Sequence, residues 1–215
     1  VLSDNPYRTN IFHLKPDQVE ASVISLGSSF VKGRCNIGYW VWELSDFPKA
    51  WMGPLKYFHE IWCPSRFIQS AVSECSTGPV IYMPPAVEIE TSKRYDRAYF
   101  KIPKDRFLFL FVFDFKSHVS RKNPLGCIQA FQDAFPSSNT TVGLILKSID
   151  GSQYPDEFMR LNETIQNDSR ITFINAVFSP GEVIGLMSVC DTFVSLHRSE
   201  GIGLSIAQSM LLGKP

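Results

Sequence analysis

Near its end the chain reads Leu196-His197-Arg198-Ser199-Glu200-Gly201-Ile202-Gly203-Leu204, follows with an apolar helical stretch to Gly213 and stops at Pro215. A Ser-Glu-Gly-x-Gly turn entering a helix presents free backbone N–H groups and the positive end of the helix dipole, which together suit a diphosphate. The glycines permit close backbone approach and unusual φ, while Glu200 can accept hydrogen bonds from sugar hydroxyls. Taken alone, Gly201 and Gly203 serve equally as a tight strand-to-helix turn with Ser199 as N-cap.

A second cluster of chemically useful residues follows the apolar run Phe107 to Phe113. It reads Asp114-Phe115-Lys116-Ser117-His118-Val119-Ser120-Arg121-Lys122-Asn123-Pro124. Lys116, Arg121 and Lys122 gather three cations in this loop, lysine as a point charge and arginine as a fork. The same cluster also suits a solvated loop. His197 is the histidine nearest the glycine turn and is a candidate to touch a sugar there. His13, His59 and His118 read as core or surface residues, because a lone histidine has no catalytic meaning without a placed partner. Lys147, at the carboxyl end of an expected strand, is expected to face a cleft.

These residues must be carried by regular elements, and short β-rich runs do alternate with amphipathic helices, the pattern of parallel sheets built from βαβ units. The first block predicts strands at 10–14, 36–42, 60–63 and 80–83, with helices at 17–31, 49–58 and 66–74. From Pro84-Pro85 to Pro103-Lys104 the apolar periodicity lapses and charges cluster (Glu88, Glu90, Lys93, Arg94, Asp96, Arg97), which reads as a connector. The alternation then restarts, with strands at 107–113, 142–146, 171–175 and 192–196 and helices at 124–135, 156–166, 180–190 and 203–212. Phe107 to Phe113 is apolar throughout, as a central parallel strand covered on both faces should be.

The expected class is therefore α/β, with two Rossmann-like lobes facing a cleft, each incomplete in this chain. Residues 1–88 form the C-terminal part of one lobe, 89–104 the connector and 105–215 the N-terminal part of the other. In such sheets ligands sit at the carboxyl ends of the strands, which is where both clusters fall.

Composition narrows the function. The 21 basic and 21 acidic residues cancel, so no net charge draws the molecule to nucleic acid. Five scattered cysteines (35, 63, 75, 127, 190) form no C-x-x-C pair; they read as reduced thiols and favour the cytoplasm. Sequons at Asn139, Asn162 and Asn167 come with no signal peptide and read as accidental. No apolar run approaches the roughly 20 residues of a membrane-spanning helix.

The string S-E-G-x-G-L, followed by M-L-x-G-K-P, resembles the donor-site signature of retaining GT-B glycosyltransferases of the glycosyltransferase group 1 (family 4) type. In that family an E-x7-E pair flanks the turn, the first glutamate contacting the donor sugar and the second the ribose. Glu200 matches the first position; the second is Gln208, whose amide bonds ribose hydroxyls without the strength of a carboxylate. The basic loop is similar to the one whose Arg and Lys, six residues apart, clamp the donor diphosphate. Lys116 and Lys122 have that spacing, with Lys116 in place of the Arg and Arg121 as an alternative ligand. Asn36 to Leu44 and Glu60 to Phe67 resemble acceptor-side strands, which makes Glu43 and Ser65-Arg66 candidates to line the cleft.

The resemblance implies transfer of a sugar from a nucleotide-diphosphate sugar to an acceptor hydroxyl, with retention, in polysaccharide or glycoconjugate synthesis. Glu200, Lys122 and Lys116 would be the catalytic residues; Ser199, Gly201, Ile202, Gly203, Leu204, Gln208, Arg121, His197 and Glu43 would bind substrate. No cofactor or metal is implied, and no D-x-D pair is present to hold a divalent ion. The implied partners are the donor and a carbohydrate or lipid-linked acceptor, with peripheral membrane contact in the full enzyme and dimerisation through the incomplete sheet edges. The resemblance covers most of the chain but only the middle of the family's fold, so the chain reads as a fragment, inactive by itself. Gln208 keeps a second reading open, a non-catalytic nucleotide-sugar-binding module. A dinucleotide oxidoreductase would need G-x-G-x-x-G after a first strand, which neither block has; a glycosidase would need paired carboxylates across a sugar site, which spacing cannot establish.

Overall fold

A computed structural model describes residues 6–89, 93–165 and 168–215. Glu90 of the charge cluster, Gln166 at an expected helix end and the Asn167 sequon lie outside the described residues. The chain divides into two compact units, one comprising Val1–Ala86 with Glu200–Ile202, the other Val87–Ser199 with Gly203–Pro215.

The first unit carries a four-stranded parallel sheet of β1 (Thr9–Phe12), β2 (Cys35–Tyr39), β3 (Glu60–Cys63) and β4 (Val80–Tyr82), in that order. Thr9 pairs with Cys35, Ile37 with Glu60 and Ile61 with Val80. The helix expected over 17–31 is two, α1 (Pro16–Leu26) and α2 (Ser28–Val31), because Gly27 takes φ 84° and breaks the run. The helix expected over 49–58 is absent. Two 3₁₀ turns, Lys49–Trp51 and Gly53–Tyr57, replace it, since Gly53 is a poor helix former and Pro54 has no N–H to give. α3 (Arg66–Ser73) starts where Ser65 Oγ accepts the Ile68 N–H at 3.2 Å. Its Ile68 and Val72 pack with Ile61, Cys63 and the stacked Trp40–Phe47 pair.

The second unit is also a four-stranded parallel sheet: β5 (Phe107–Val112), β6 (Val142–Ser148), β7 (Ile171–Asn175) and β8 (Thr192–Phe193), ordered β7-β6-β5-β8. Its helices are α4 (Val119–Lys122), α5 (Pro124–Ala134), α6 (Pro155–Ile165), α7 (Pro180–Val189) and α8 (Leu204–Leu211). Alternate side chains of β5 feed two cores: Phe111 packs with α5 and Leu161 of α6, while Leu108 and Leu110 pack with Leu186 and Met187 of α7. All seven residues of β6 are buried, as a strand covered on both faces requires. β8 is shorter than the expected 192–196, although the Val194 N–H still reaches the Leu110 carbonyl at 2.8 Å.

No described residue between 84 and 106 is helical or stranded. From Lys93 onward this segment is nonetheless pinned to the second unit. Arg97 donates to the carbonyls of Val189 (2.9 Å) and Arg106 (2.7 Å) and to the Asp191 carboxylate (2.7 Å), which also accepts the Leu108 N–H at 2.7 Å. Tyr95 lays its ring on α7 at Gly185, where no side chain stands in the way.

Candidate functional site

In the second unit the order of strands reverses at β5, with β6 and then β7 on one side and β8 on the other. Phe109 pairs with Thr192 and Leu110 with Phe193. The loop leaving β5 and the turn leaving β8 are therefore neighbours at the carboxyl edge of the sheet, the place where open α/β sheets bind ligands.

The loop after β5 is the basic one. Asp114 caps its first turn by accepting the Ser117 N–H at 2.6 Å. α4 then lies between two non-glycine residues of positive φ, His118 (φ 60°, ψ 97°) and Asn123 (φ 59°, ψ 43°). Such conformations cost of order 1–3 kcal/mol and persist where surrounding contacts enforce them. For Asn123 and the helix before it, those contacts come from the turn after β8. Arg121 Nη1 donates to the Ser199 carbonyl (2.9 Å), the Arg198 N–H donates to the Arg121 carbonyl (2.9 Å), and Asn123 Nδ2 donates to the Leu196 carbonyl (3.0 Å). A Cβ on Gly126 would come within 2.6 Å of the Asn123 amide, so glycine is what lets that amide fold under α5.

In the glycine turn, Gly203 takes φ 68° and is the N-cap of α8, with no side chain capping the helix. The N-cap role considered for Ser199 is corrected accordingly: Ser199 lies upstream and gives its carbonyl to Arg121. Ile202 and Leu204 are exposed, Gln208 is half-buried on α8, and Glu200 and Lys122 are half-buried. His197 is held on two sides, its ring stacked on Phe111 (centroids 4.9 Å apart) and its Nδ1 2.7 Å from Ser195 Oγ.

The remaining candidates fall elsewhere. Lys116 is exposed and lines a cavity of about 550 Å³ with His118, Tyr154, Arg160 and Arg198, a cavity that Arg121 and Lys122 do not line. Lys147, expected to face a cleft, is buried (2% exposed); Nζ donates to the carbonyls of Ser148 and Ala176 and sits over the Phe178 ring, and burial lowers its pKa to about 8. Glu43 is half-buried beyond the end of β2 in the first unit. Ser65 serves α3 as its cap, and Arg66 stacks over Tyr82. His59 Nδ1 accepts the Asn36 N–H at 3.0 Å.

Sequence reasoning passed over Asn123 and Arg198. The signal for Asn123 was its residue type, since asparagine tolerates left-handed backbone, next to a helix-starting Pro124. All five cysteines are unpaired, with Cys63, Cys127 and Cys190 buried and pushed up to about 12. Among the described residues no group of three His, Cys, Asp or Glu could hold a metal ion, and no helix is long and apolar enough to cross a membrane.

No family model and no curated protein matches the chain by sequence. Solved structures do match. Anabaena HepE, in complex with UDP and glucose, is similar at TM-score 0.71 and 17% identity, over 97% of this chain and 58% of that one. TarM gives 0.67 and 10% identity over 95% of this chain and 40% of its own. A UDP-forming trehalose-phosphate synthase from Burkholderia vietnamiensis gives 0.63 and 12% identity over 90% and 53%. The chain thus spans roughly half the length of the structures it matches. With two parallel sheets flanked by helices and these neighbours, the chain has the Rossmann-like lobes of the GT-B fold.

Proposed function

We propose that this chain is part of a nucleotide-sugar-dependent glycosyltransferase and that its second unit seats the donor diphosphate. The observation that carries this reading is the bonded pair of loops at the strand reversal: the basic loop after β5, tied through Arg121 and Asn123 to the turn that opens α8. A helix start without a side-chain cap, four residues after the Ser199 carbonyl that Arg121 binds, is suited to a diphosphate. HepE has been seen with UDP-glucose, which supports a UDP-sugar as donor.

In this reading Lys122 and Lys116, with Arg121 as the alternative ligand, meet the diphosphate and stabilise the charge that develops as it leaves. Glu200 accepts hydrogen bonds from the donor sugar, Gln208 bonds the ribose, and the backbone of Ser199, Gly201, Ile202, Gly203 and Leu204 shapes the seat. His197 touches the sugar, and Glu43 lines the acceptor side. The acceptor is a hydroxyl of a carbohydrate or lipid-linked carbohydrate, the anomeric configuration is retained, and no metal or cofactor takes part. We place the reaction in cytoplasmic glycoconjugate or polysaccharide synthesis. The competing reading, a module that binds the donor without transferring it, rests on Gln208 at the position of the second glutamate.

Calorimetric titration of the chain with nucleotide diphosphates and their sugars tests the donor seat. One nucleotide should bind, and Glu200→Ala and Lys122→Ala should each weaken it about tenfold or more, the worth of a hydrogen bond to a charged group. Equal affinity in both variants would remove these residues from the seat.

A further inference from the structure

The cavity lined by Lys116 lies on the α6 side of the basic loop and is not used by the donor reading except through that lysine. Its volume of about 550 Å³ falls within the ~300–1,000 Å³ typical of small-molecule sites. Three permanent cations converge on it from three segments, Lys116 from the basic loop, Arg160 from α6 and Arg198 from the turn after β8, against a single carboxylate, Glu157. Among the described residues none of the three lies within ion-pair distance of a carboxylate. Like charges gathered around one cavity repel, and an anionic ligand is what relieves that repulsion.

We propose that this cavity is a second ligand site, for a phosphorylated monosaccharide. The balance of three cations and one carboxylate leaves two positive charges, the complement of a phosphate monoester, which carries about −1.5 to −2 at neutral pH. The apolar lining includes Val119, Leu125, Leu161 and Tyr154, whose ring lies nearly parallel to the buried Phe115 ring (19° between planes, centroids 6.3 Å apart). An aromatic ring and cations lining one cavity suit a ligand that is charged at one end and presents C–H groups along a ring. Glu157 accepts hydrogen bonds from hydroxyls. The wall is also held in shape: His118, on the cavity rim, has positive φ, and Phe115 is fixed by the turn that Asp114 caps.

The test is a titration of the chain with glucose 6-phosphate, inorganic phosphate, glucose and UDP, followed by calorimetry or by amide NMR shifts. Arg160 is exposed on α6, so Arg160→Ala leaves the fold intact, which circular dichroism checks. Glucose 6-phosphate should bind saturably and more tightly than phosphate or glucose. Arg160→Ala and Tyr154→Ala should each weaken it about tenfold, with UDP affinity unchanged in Arg160→Ala; Lys122→Ala, which removes no lining residue, should leave glucose 6-phosphate binding intact. Absence of saturable binding, or binding indifferent to Arg160→Ala, overturns the proposal. Phosphate binding as tightly as glucose 6-phosphate overturns the sugar assignment. Competition between UDP and glucose 6-phosphate, with Arg160→Ala weakening both, makes the cavity part of the donor seat and overturns a second site. Failure of UDP alone to bind bears on the donor reading only.

Discussion

Arg121 and Ser199 are joined by a 2.9 Å bond from the guanidinium to the turn carbonyl, and the next residue back, Arg198, returns a bond of the same length from its N–H to the Arg121 carbonyl. Arg121 is thus committed to the geometry of the glycine turn as well as to its charge. Arg121→Ala should weaken nucleotide binding about tenfold and lower stability by about 1.5–3 kcal/mol, the worth of a hydrogen bond to a charged group. Arg121→Lys should recover little, because a point charge cannot reproduce the planar fork. Titration and urea melts of both variants measure this; full recovery by lysine would show that charge alone matters.

The fold was legible where local pattern decides it. Alternating strands and helices, and the all-apolar β5, follow from side-chain periodicity, and the strand 171–175 was placed to the residue. What failed depends on contacts far apart in sequence or on backbone chemistry inside an apolar run. The reversal of strand order at β5 is fixed by pairing with β8, more than 80 residues away, and no local signal contains it. Residues 49–58 have helical apolar spacing, and Gly53-Pro54 overrules it. Lys147 was correctly placed at the end of a strand, but its burial depends on the loop holding Ala176 and Phe178. Ser199 suited an N-cap by type, and the chain instead turns through Gly203.

The segment before β5 is anchored by a ring where a side chain is missing. A Cβ on Gly185 would overlap the Tyr95 ring, which is too bulky to move aside without leaving α7. Gly185→Ala should therefore destabilise the chain by about 1–3 kcal/mol, the usual cost of overpacking, despite alanine being the better helix former. Gly33→Ala meets no atom but forces alanine to φ 74°, so its smaller cost should come from backbone strain alone. Thermal melts of the two variants separate the mechanisms; a more stable Gly185→Ala protein would mean that Tyr95 does not pack as described.

Lys147 gives the chain a distinctive alkaline behaviour. Burial holds its pKa near 8, below the 10.5 it has when exposed. Between these values the unfolded chain binds the proton that the folded chain has lost, so this residue's contribution to stability rises with pH. The buried thiols of Cys63, Cys127 and Cys190 act oppositely above pH 9, because unfolding lets them ionise. Comparison with Lys147→Met cancels the thiols. Relative to that variant, the unsubstituted chain should gain about 1.4 kcal/mol between pH 7 and pH 9 by this linkage. Urea melts at pH 7, 8 and 9 read the difference, and a flat difference would mean that Lys147 titrates normally.

Gln208 separates the two functional readings. It lies half-buried on α8, one turn beyond the helix start that the donor reading assigns to the diphosphate. An amide accepting a ribose hydroxyl makes a neutral bond of about 0.5–1.5 kcal/mol, whereas a carboxylate in the same place makes one of about 1.5–3 kcal/mol. Gln208→Glu should therefore tighten nucleoside-diphosphate binding up to about tenfold and leave binding of the corresponding deoxyribose nucleotide nearly unchanged, since the gained interaction needs the hydroxyl. A gain confined to the ribose form places residue 208 at the ribose and identifies the amide as a weakened ligand within a working seat. Equal gains for both sugars would mean that the carboxylate acts at a distance, and a loss for both would mean that the glutamine holds α8 in place and that the turn is retained for architecture.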